Sequence, residues 1–393
     1  MPHLRILSGG ESHGKALVAI VEGMPSNLSI EAEDINLDLK RRQLGYGRGG
    51  RMKIESDSVE FLSGVRWGKT LGSPITLKID NRDWKNWVAG MSAEPLQNGG
   101  IAAVTRPRPG HADLCGAIKY GFKDVRNVLE RSSARETAMR VAVGALCKKF
   151  IGQFGIKTGS FVINIGGVGK RSSEAYNDPG ALERLHQRAE GSEVRCPYQE
   201  DGQRMVSAIQ VATERGDTLG GIFEVFAVNV PVGLGSHVQW DRKIDGLLAQ
   251  AVMTIQAVKG VETGSGFDMA LHPGSDVMDE IYYEKSSGFV RKTNNCGGIE
   301  GGMSNGMPIL IRAAMKPIPT QRRALKSVDI ETKIPIEATY ERSDVCAVPA
   351  CSVIAEAVMA TTIAGLLLTK FGGDTMDETI GNFKKYMEYV RDF

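Results

Sequence analysis

A large charge excess, paired cysteines, an uninterrupted membrane-length apolar run and internal repeats are all missing from this chain, and each absence excludes a class of protein. Lysine and arginine together number 48 against 46 acids, a formal net charge of +2. A dedicated nucleic-acid binder carries a basic excess, so any anion site here must be local. The six cysteines, at 115, 147, 196, 296, 346 and 351, form no Cys-x-x-Cys pair, and no histidines stand at zinc-ligand offsets around them. No metal site is expected, and the thiols read as reduced packing groups. The longest apolar stretch, 353–368, is interrupted by Glu356 and falls short of the ~20 residues that cross a bilayer, so it reads as a buried helix. The first ten residues lack a secretory pattern, which makes the cytoplasm the expected compartment, with no membrane partner. No repeat, low-complexity tract or linker marks a domain boundary.

What is present is a globular composition, 42% hydrophobic and 24% charged, with alternating strand and helix patterns. Strands are predicted at 4–7, 17–22, 59–66, 74–80, 160–165, 221–230 and 307–314. Helices are predicted at 31–42 with Ser29 as cap, at 132–154 with Ser132 or Ser133 as cap, and at 204–214, 241–257, 350–368 and 377–391. The fold class is α/β of the α+β type. The stretch 81–108 has little periodicity and several prolines and glycines, and a loop of that size is expected to cover or line a site.

Four segments carry the chemistry. Gly9–Lys15 fits the glycine and lysine spacing of a phosphate-cradling loop, but Ala16 stands where that loop needs a magnesium-binding hydroxyl. On these residues His13 reads equally as a packed ring in a glycine-rich turn or as a proton-transfer group. Gly45, Gly47 and Gly50 match a dinucleotide fingerprint, yet they follow a basic helix rather than a buried strand. Arg41, Arg42, Arg48 and Arg51 around that loop suit a multiply charged anion, and RNA binding by the same Gly-Arg segment is the rival reading. Arg106–Asp113 stiffens its backbone with two prolines and presents Arg108, His111 and Asp113 together. Arg131–Ala138 reads as a phosphate-binding helix start or an ordinary capping box. The polar loops 316–320 and 342–349 complete the set. Histidines, arginines and hydroxyls in glycine- and proline-rich loops suit acid catalysis on a polyanion.

Taken together, Gly-Glu-Ser-His-Gly at 10–14, Gly-Tyr-Gly-Arg-Gly-Gly-Arg-Met at 45–52, Arg-Pro-Gly-His-Ala-Asp at 108–113, Arg-Ser-Ser-Ala-Arg-Glu-Thr-Ala at 131–138, Lys-Pro-Ile-Pro-Thr at 316–320 and Arg-Ser-Asp-Val-Cys-Ala-Val-Pro at 342–349 closely resemble the chorismate synthase family. The resemblance runs through essentially the whole chain. It implies a single-domain β-α-β sandwich over 1–393, assembled as a homotetramer, that eliminates phosphate from 5-enolpyruvylshikimate 3-phosphate using reduced FMN. It gives His13 an acid role toward the departing phosphate and His111 a proton or hydrogen bond toward the reduced flavin. Asp344, held by Arg342, would help a flavin nitrogen accept the ring proton. Arg42, Arg48, Arg51, Arg108 and Arg135 would bind substrate. Arg131, Ser132, Ser133, Gln256, Ala257, Gly301, Lys316, Pro317, Ile318, Pro319, Thr320 and Arg342 would meet FMN. The family often has serine where this chain has Pro319, and proline offers no backbone donor there. No nicotinamide fingerprint is present, so NADPH is expected to act only indirectly, through an external flavin reductase.

Overall fold

The computed structural model describes residues 4–49, 56–95, 101–170, 177–285, 287–341 and 343–393. Two antiparallel sheets enclose a layer of helices. The first sheet has four strands in the order Arg5–Gly9, Ala16–Glu22, Ile75–Asp80, Val59–Ser63. The second has five, in the order Val258–Thr263, Ile309–Met315, Gly221–Val228, Lys157–Ile165, Val168–Gly169. The helix Thr137–Gly152 packs on the first sheet, the helix Val348–Phe371 packs on the second, and the two helices pack on each other. Each sheet turns one face inward: along Ala16–Glu22, Leu17, Ala19 and Val21 are fully buried while Val18 and Ile20 are exposed. The inward side chains of both sheets and the helices between them form one continuous apolar cluster, from Leu17 to Met376.

Val348–Phe371 runs 24 residues, longer than the apolar run in the sequence indicates, and by length and composition it could cross a membrane. It is instead the buried centre of the sandwich, 78% of its most apolar window lying inside the fold. Pro349 in its first turn starts it, and Gly372 at φ 61°, ψ −158° ends it in a conformation open essentially to glycine. Where it crosses Thr137–Gly152 the backbones touch: a Cβ added to Gly144 would sit 2.3 Å from the Cβ of Ala357. That approach requires glycine.

Polar groups also bridge the layers. Glu356 is fully buried midway along the central helix. Its carboxylate accepts from Arg41 Nη2 (2.8 Å) and Nη1 (2.9 Å), Lys148 Nζ (2.7 Å), Ser160 Oγ (2.6 Å) and Arg195 Nη2 (3.1 Å). Arg41 is therefore a structural ion-pair residue rather than part of an anion loop. Its neighbour Arg42, one step on along the Ala32–Gln43 helix, points the other way into the site. That helix starts at Glu31, whose N–H donates to Asp34 Oδ2 (2.9 Å), and not at Ser29.

The region 113–136 also differs from expectation. Asp113–Tyr120 and Arg126–Ser132 are helices of their own, and a 3₁₀ turn, Ala134–Glu136, precedes Thr137–Gly152. Arg131 and Ser132 thus end one helix instead of starting the next. Ser133 caps the 3₁₀ turn, accepting from the Arg135 N–H.

Candidate active site

Loops from both sheets and several helix ends converge on a cavity of about 510 Å³, within the range of small-molecule sites. Ser12, His13, Arg42, Arg48, Arg108, His111, Ser132, Ser133, Arg135, Gln256, Ala257, Lys316, Ile318, Pro319, Thr320 and Asp344 all line it. These are residues from all six quoted motifs, scattered over more than 300 positions of sequence.

His13 sits in the turn between the first two strands. The residue after Lys15 begins the strand Ala16–Glu22 and no helix follows, so the phosphate-loop reading fails on context. Its amides are also committed: Ser12 N–H donates to Glu130 O (3.0 Å) and His13 N–H to Glu130 Oε2 (2.7 Å). The imidazole Nδ1 lies 2.8 Å from Glu130 Oε1, and the ring stacks on Trp87 with centroids 4.0 Å apart. Trp87 belongs to the irregular stretch expected to border a site. Burial would raise the Glu130 carboxyl, but the hydrogen bonds and charge of His13, with Arg126 nearby, hold it below its ordinary value.

His111 makes a second dyad. Its Nδ1 lies 2.5 Å from Asp113 Oδ1, and Arg108 donates to the same carboxylate from Nε (2.8 Å), Nη2 (3.1 Å) and its own backbone N–H (3.0 Å). Against the penalty of burial, the bonds from His111 and Arg108 hold Asp113 well below the usual carboxylate range. Arg108 Nη1 reaches Thr320 Oγ1 (2.9 Å), joining the loop at 106–113 to the loop at 316–320. Arg108 thus braces the two loops against each other.

The remaining arginines form a buried cationic corner. Arg135 donates from Nη1 to Asp57 Oδ1 (2.6 Å) and from Nε to Asn81 Oδ1 (2.9 Å). Arg42 donates to Thr137 Oγ1 (3.0 Å) and Ala134 O (3.1 Å), with Asp57 Oδ2 at 3.4 Å. Burial pulls the Arg42 guanidinium down to about 10; Asp57 resists this, and the like charges of Arg135 and Arg48 add to it. Two guanidiniums share the buried Asp57, with the Arg48 charge close enough to act on Arg42, and such a pocket gains electrostatically when an anion enters. Arg48 pairs with Asp344 (2.6 Å), whose other oxygen accepts from the Gly49 N–H (2.6 Å). Arg48 and the Gly49 amide thus hold the Asp344 carboxylate from both oxygens. Gly47 allows this loop to close on Cys346, since it has φ 85° and a Cβ there would meet Ile209 at 2.9 Å.

Arg342 and Arg51 lie outside the described residues. Arg131 faces away from the cavity: its guanidinium is bonded to Ser8 O, Ser8 Oγ and Gly10 O on the edge strand. Gly301 lies in the turn between Ile299–Glu300 and Met303–Ser304, beside the start of the helix Ile244–Met253, whereas Gln256 follows its far end. A ten-residue helix separates those ends by ~15 Å, so one chain does not bring Gly301 to the cavity. Pro317 does not line the cavity either, although its neighbours do. Glu130, Asp57, Asn81 and Trp87 were not singled out by motif, because none stands in a glycine- or proline-rich segment with a chemical signature.

Comparison with known proteins agrees with the motif resemblance over the full length. The family model described as chorismate synthase matches residues 4–368. A chorismate synthase from Aquifex aeolicus is 56% identical over 394 residues, covering 100% of this chain and 99% of that protein. One from Geobacter sulfurreducens is 57% identical, covering 99% and 100%. A crystal structure of a chorismate synthase superposes with a TM-score of 0.82 at 47% identity, covering 99% of each chain.

Proposed function

The chain belongs to the chorismate synthase family, and on that premise we propose that it converts 5-enolpyruvylshikimate 3-phosphate to chorismate by anti 1,4-elimination of phosphate with reduced FMN. The observation that carries this reading is the pairing of two carboxylate-held histidines with a crowded cationic corner in one cavity. The substrate, with a phosphate and two carboxylates, matches that charge, and loss of phosphate needs a proton donor at the leaving group.

The cavity's other wall suits a flavin. Leu129, Ile255, Met315, Ile318 and Ile354 give an apolar surface for a fused ring. Gln256 Oε1 is buried there with no hydrogen-bond partner among the described residues, an acceptor suited to a ring N–H; its Nε2 is fixed on Glu136 (2.7 Å). Burial and the nearby Lys259 charge lower Lys316, so a phosphate beside it relieves a real cost. Gln256, Ala257, Lys316, Ile318, Thr320 and Ser133 would hold the cofactor. Reduced FMN, when bound, supplies electron density to the allylic system and is unchanged overall.

The chain's own residues do the rest. Glu130 occupies Nδ1 of His13, so exchange with the departing phosphate falls to Nε2, and Asp113 sets His111 in the same way. Arg42, Arg48 and Arg135 orient the anionic groups and stabilise the charge that builds on phosphate. Asp344, clamped by Arg48 and Gly49, is a fixed carboxylate for the proton lost at the far end of the ring. The remaining parts of the reading are a cytoplasmic homotetramer fed with reduced flavin by an external reductase, with NADPH acting only through that reductase.

Binding tests the cofactor assignment apart from turnover. Titrating the protein into FMN is expected to shift the flavin's visible spectrum, and Lys316→Gln is expected to weaken that binding about tenfold, the loss of one charge-assisted contact of roughly 1.4 kcal/mol. An unchanged flavin spectrum at saturating protein would remove FMN from the account.

A further inference from the structure

We propose that Glu130 is a positioning residue of the reaction: it fixes the His13 ring with its proton on Nδ1 and so leaves Nε2 as the atom that serves the cavity. The inference rests on the lyase reading above for its kinetic consequence, but not for its structural content. Glu130 does not line the cavity; it stands one layer behind, on the helix Arg126–Ser132, and is 2% exposed.

Donors and acceptors around Glu130 decide where the proton sits. Glu130 faces three donors: the His13 backbone N–H at 2.7 Å from Oε2, the His13 ring at 2.8 Å from Oε1, and Arg126 Nη1 at 3.3 Å from Oε1. A backbone N–H and a guanidinium can only donate, so both carboxylate oxygens must accept. With both oxygens accepting, Nδ1 carries the proton. A single residue thus anchors His13 at its backbone and at its ring, which leaves the imidazole no alternative rotamer or tautomer that keeps both bonds. Trp87 closes the remaining freedom by stacking on the ring at 4.0 Å, and Arg126 in turn lies 4.9 Å from the Trp87 ring. His111 meets Asp113 through Nδ1 as well, so the same device occurs twice in one cavity. Carboxylates behind a functional histidine fix tautomer and orientation in this way, and the amide in their place favours the wrong tautomer.

Glu130→Gln separates this role from a merely structural one, because glutamine keeps size and shape. Its oxygen must go to the fixed backbone N–H of His13, which turns the amide NH₂ toward Nδ1 and demands a proton on Nε2 instead. The expected result is a fold retained by circular dichroism, a kcat lowered about 100-fold, and a KM for the substrate within about twofold. Nitrogen NMR of isotopically labelled histidine is expected to show Nδ1 protonated in the neutral ring of the parent protein and Nε2 protonated in the variant. An unchanged kcat in a variant that folds overturns the proposal. So does a parent spectrum with the proton on Nε2, which needs no variant at all. If the parent makes no chorismate, the lyase reading fails while the spectra still decide the tautomer.

Discussion

Replacing Glu356 with alanine is expected to unfold the protein or lower its stability by at least ~3 kcal/mol, a change that chemical denaturation would register directly. The side chain is fully buried, and its removal would leave Arg41, Lys148 and Arg195 converging on a cavity without the charge that gathers them. Breaking a buried ion pair from one side costs about 3–5 kcal/mol, a large part of the 5–15 kcal/mol that holds a typical domain together. The network joins the helices Ala32–Gln43, Thr137–Gly152 and Val348–Phe371 to the strand Lys157–Ile165, so the effect spans the helix layer and the second sheet. The pH dependence has a definite sign. Burial pushes the Glu356 carboxyl up, but the charges of Arg41, Lys148 and Arg195 outweigh it and hold the group well below 4.5. Glu190, bonded to Arg41 and Arg195, is brought down to about 2 despite burial. Both groups bind fewer protons when folded, so their stabilisation is complete above the unfolded carboxylate value. It is lost as pH falls from about 5 toward and below 2. A denaturation midpoint that rose on acidification through that window would contradict the assignment.

His13→Ala and His111→Ala are each expected to lower kcat by about 10²–10⁴-fold under saturating reduced flavin, the range for losing a positioned acid or base. The two variants should differ in stability. His13→Ala strips Glu130 of a ring donor and leaves that buried carboxylate to one backbone N–H and Arg126, so its thermal midpoint should fall. His111→Ala leaves Asp113 with all its Arg108 bonds, and its midpoint should move little. Full turnover in both variants would remove the two histidines from the mechanism.

The parts of the site legible in the sequence are those where chemistry demands unusual local composition. Pro107 and Pro109 around Arg108, and the glycines from 45 to 49, announce loops whose backbone is fixed for a purpose, and the structure brings both to one cavity. What stayed hidden depends on burial. Glu130 carries no motif signal in the sequence, and only the turn at His13 folding over it makes it a partner. Asp57 and Asn81 look like ordinary polar positions at strand ends, yet both are buried against Arg135. Arg41 and Arg42 are adjacent in one basic run, but the helical step of about 100° sends one to Glu356 and the other to the cavity. Glu356 did leave a signal: a lone acid in a sixteen-residue apolar stretch must find cations or abandon its charge. The helix start at 137 was obscured because Ser132 and Ser133 are both good caps, and the Arg126–Ser132 helix had too few apolar positions to show a period.

The most direct measurement is an anaerobic reaction of the purified protein with 5-enolpyruvylshikimate 3-phosphate and photoreduced FMN, following chorismate absorbance and released phosphate together. The account predicts that both appear one for one with reduced FMN and that neither appears with the oxidised form. No product from a protein that binds FMN tightly would contradict it, leaving a flavoprotein whose cationic cavity serves another polyanion.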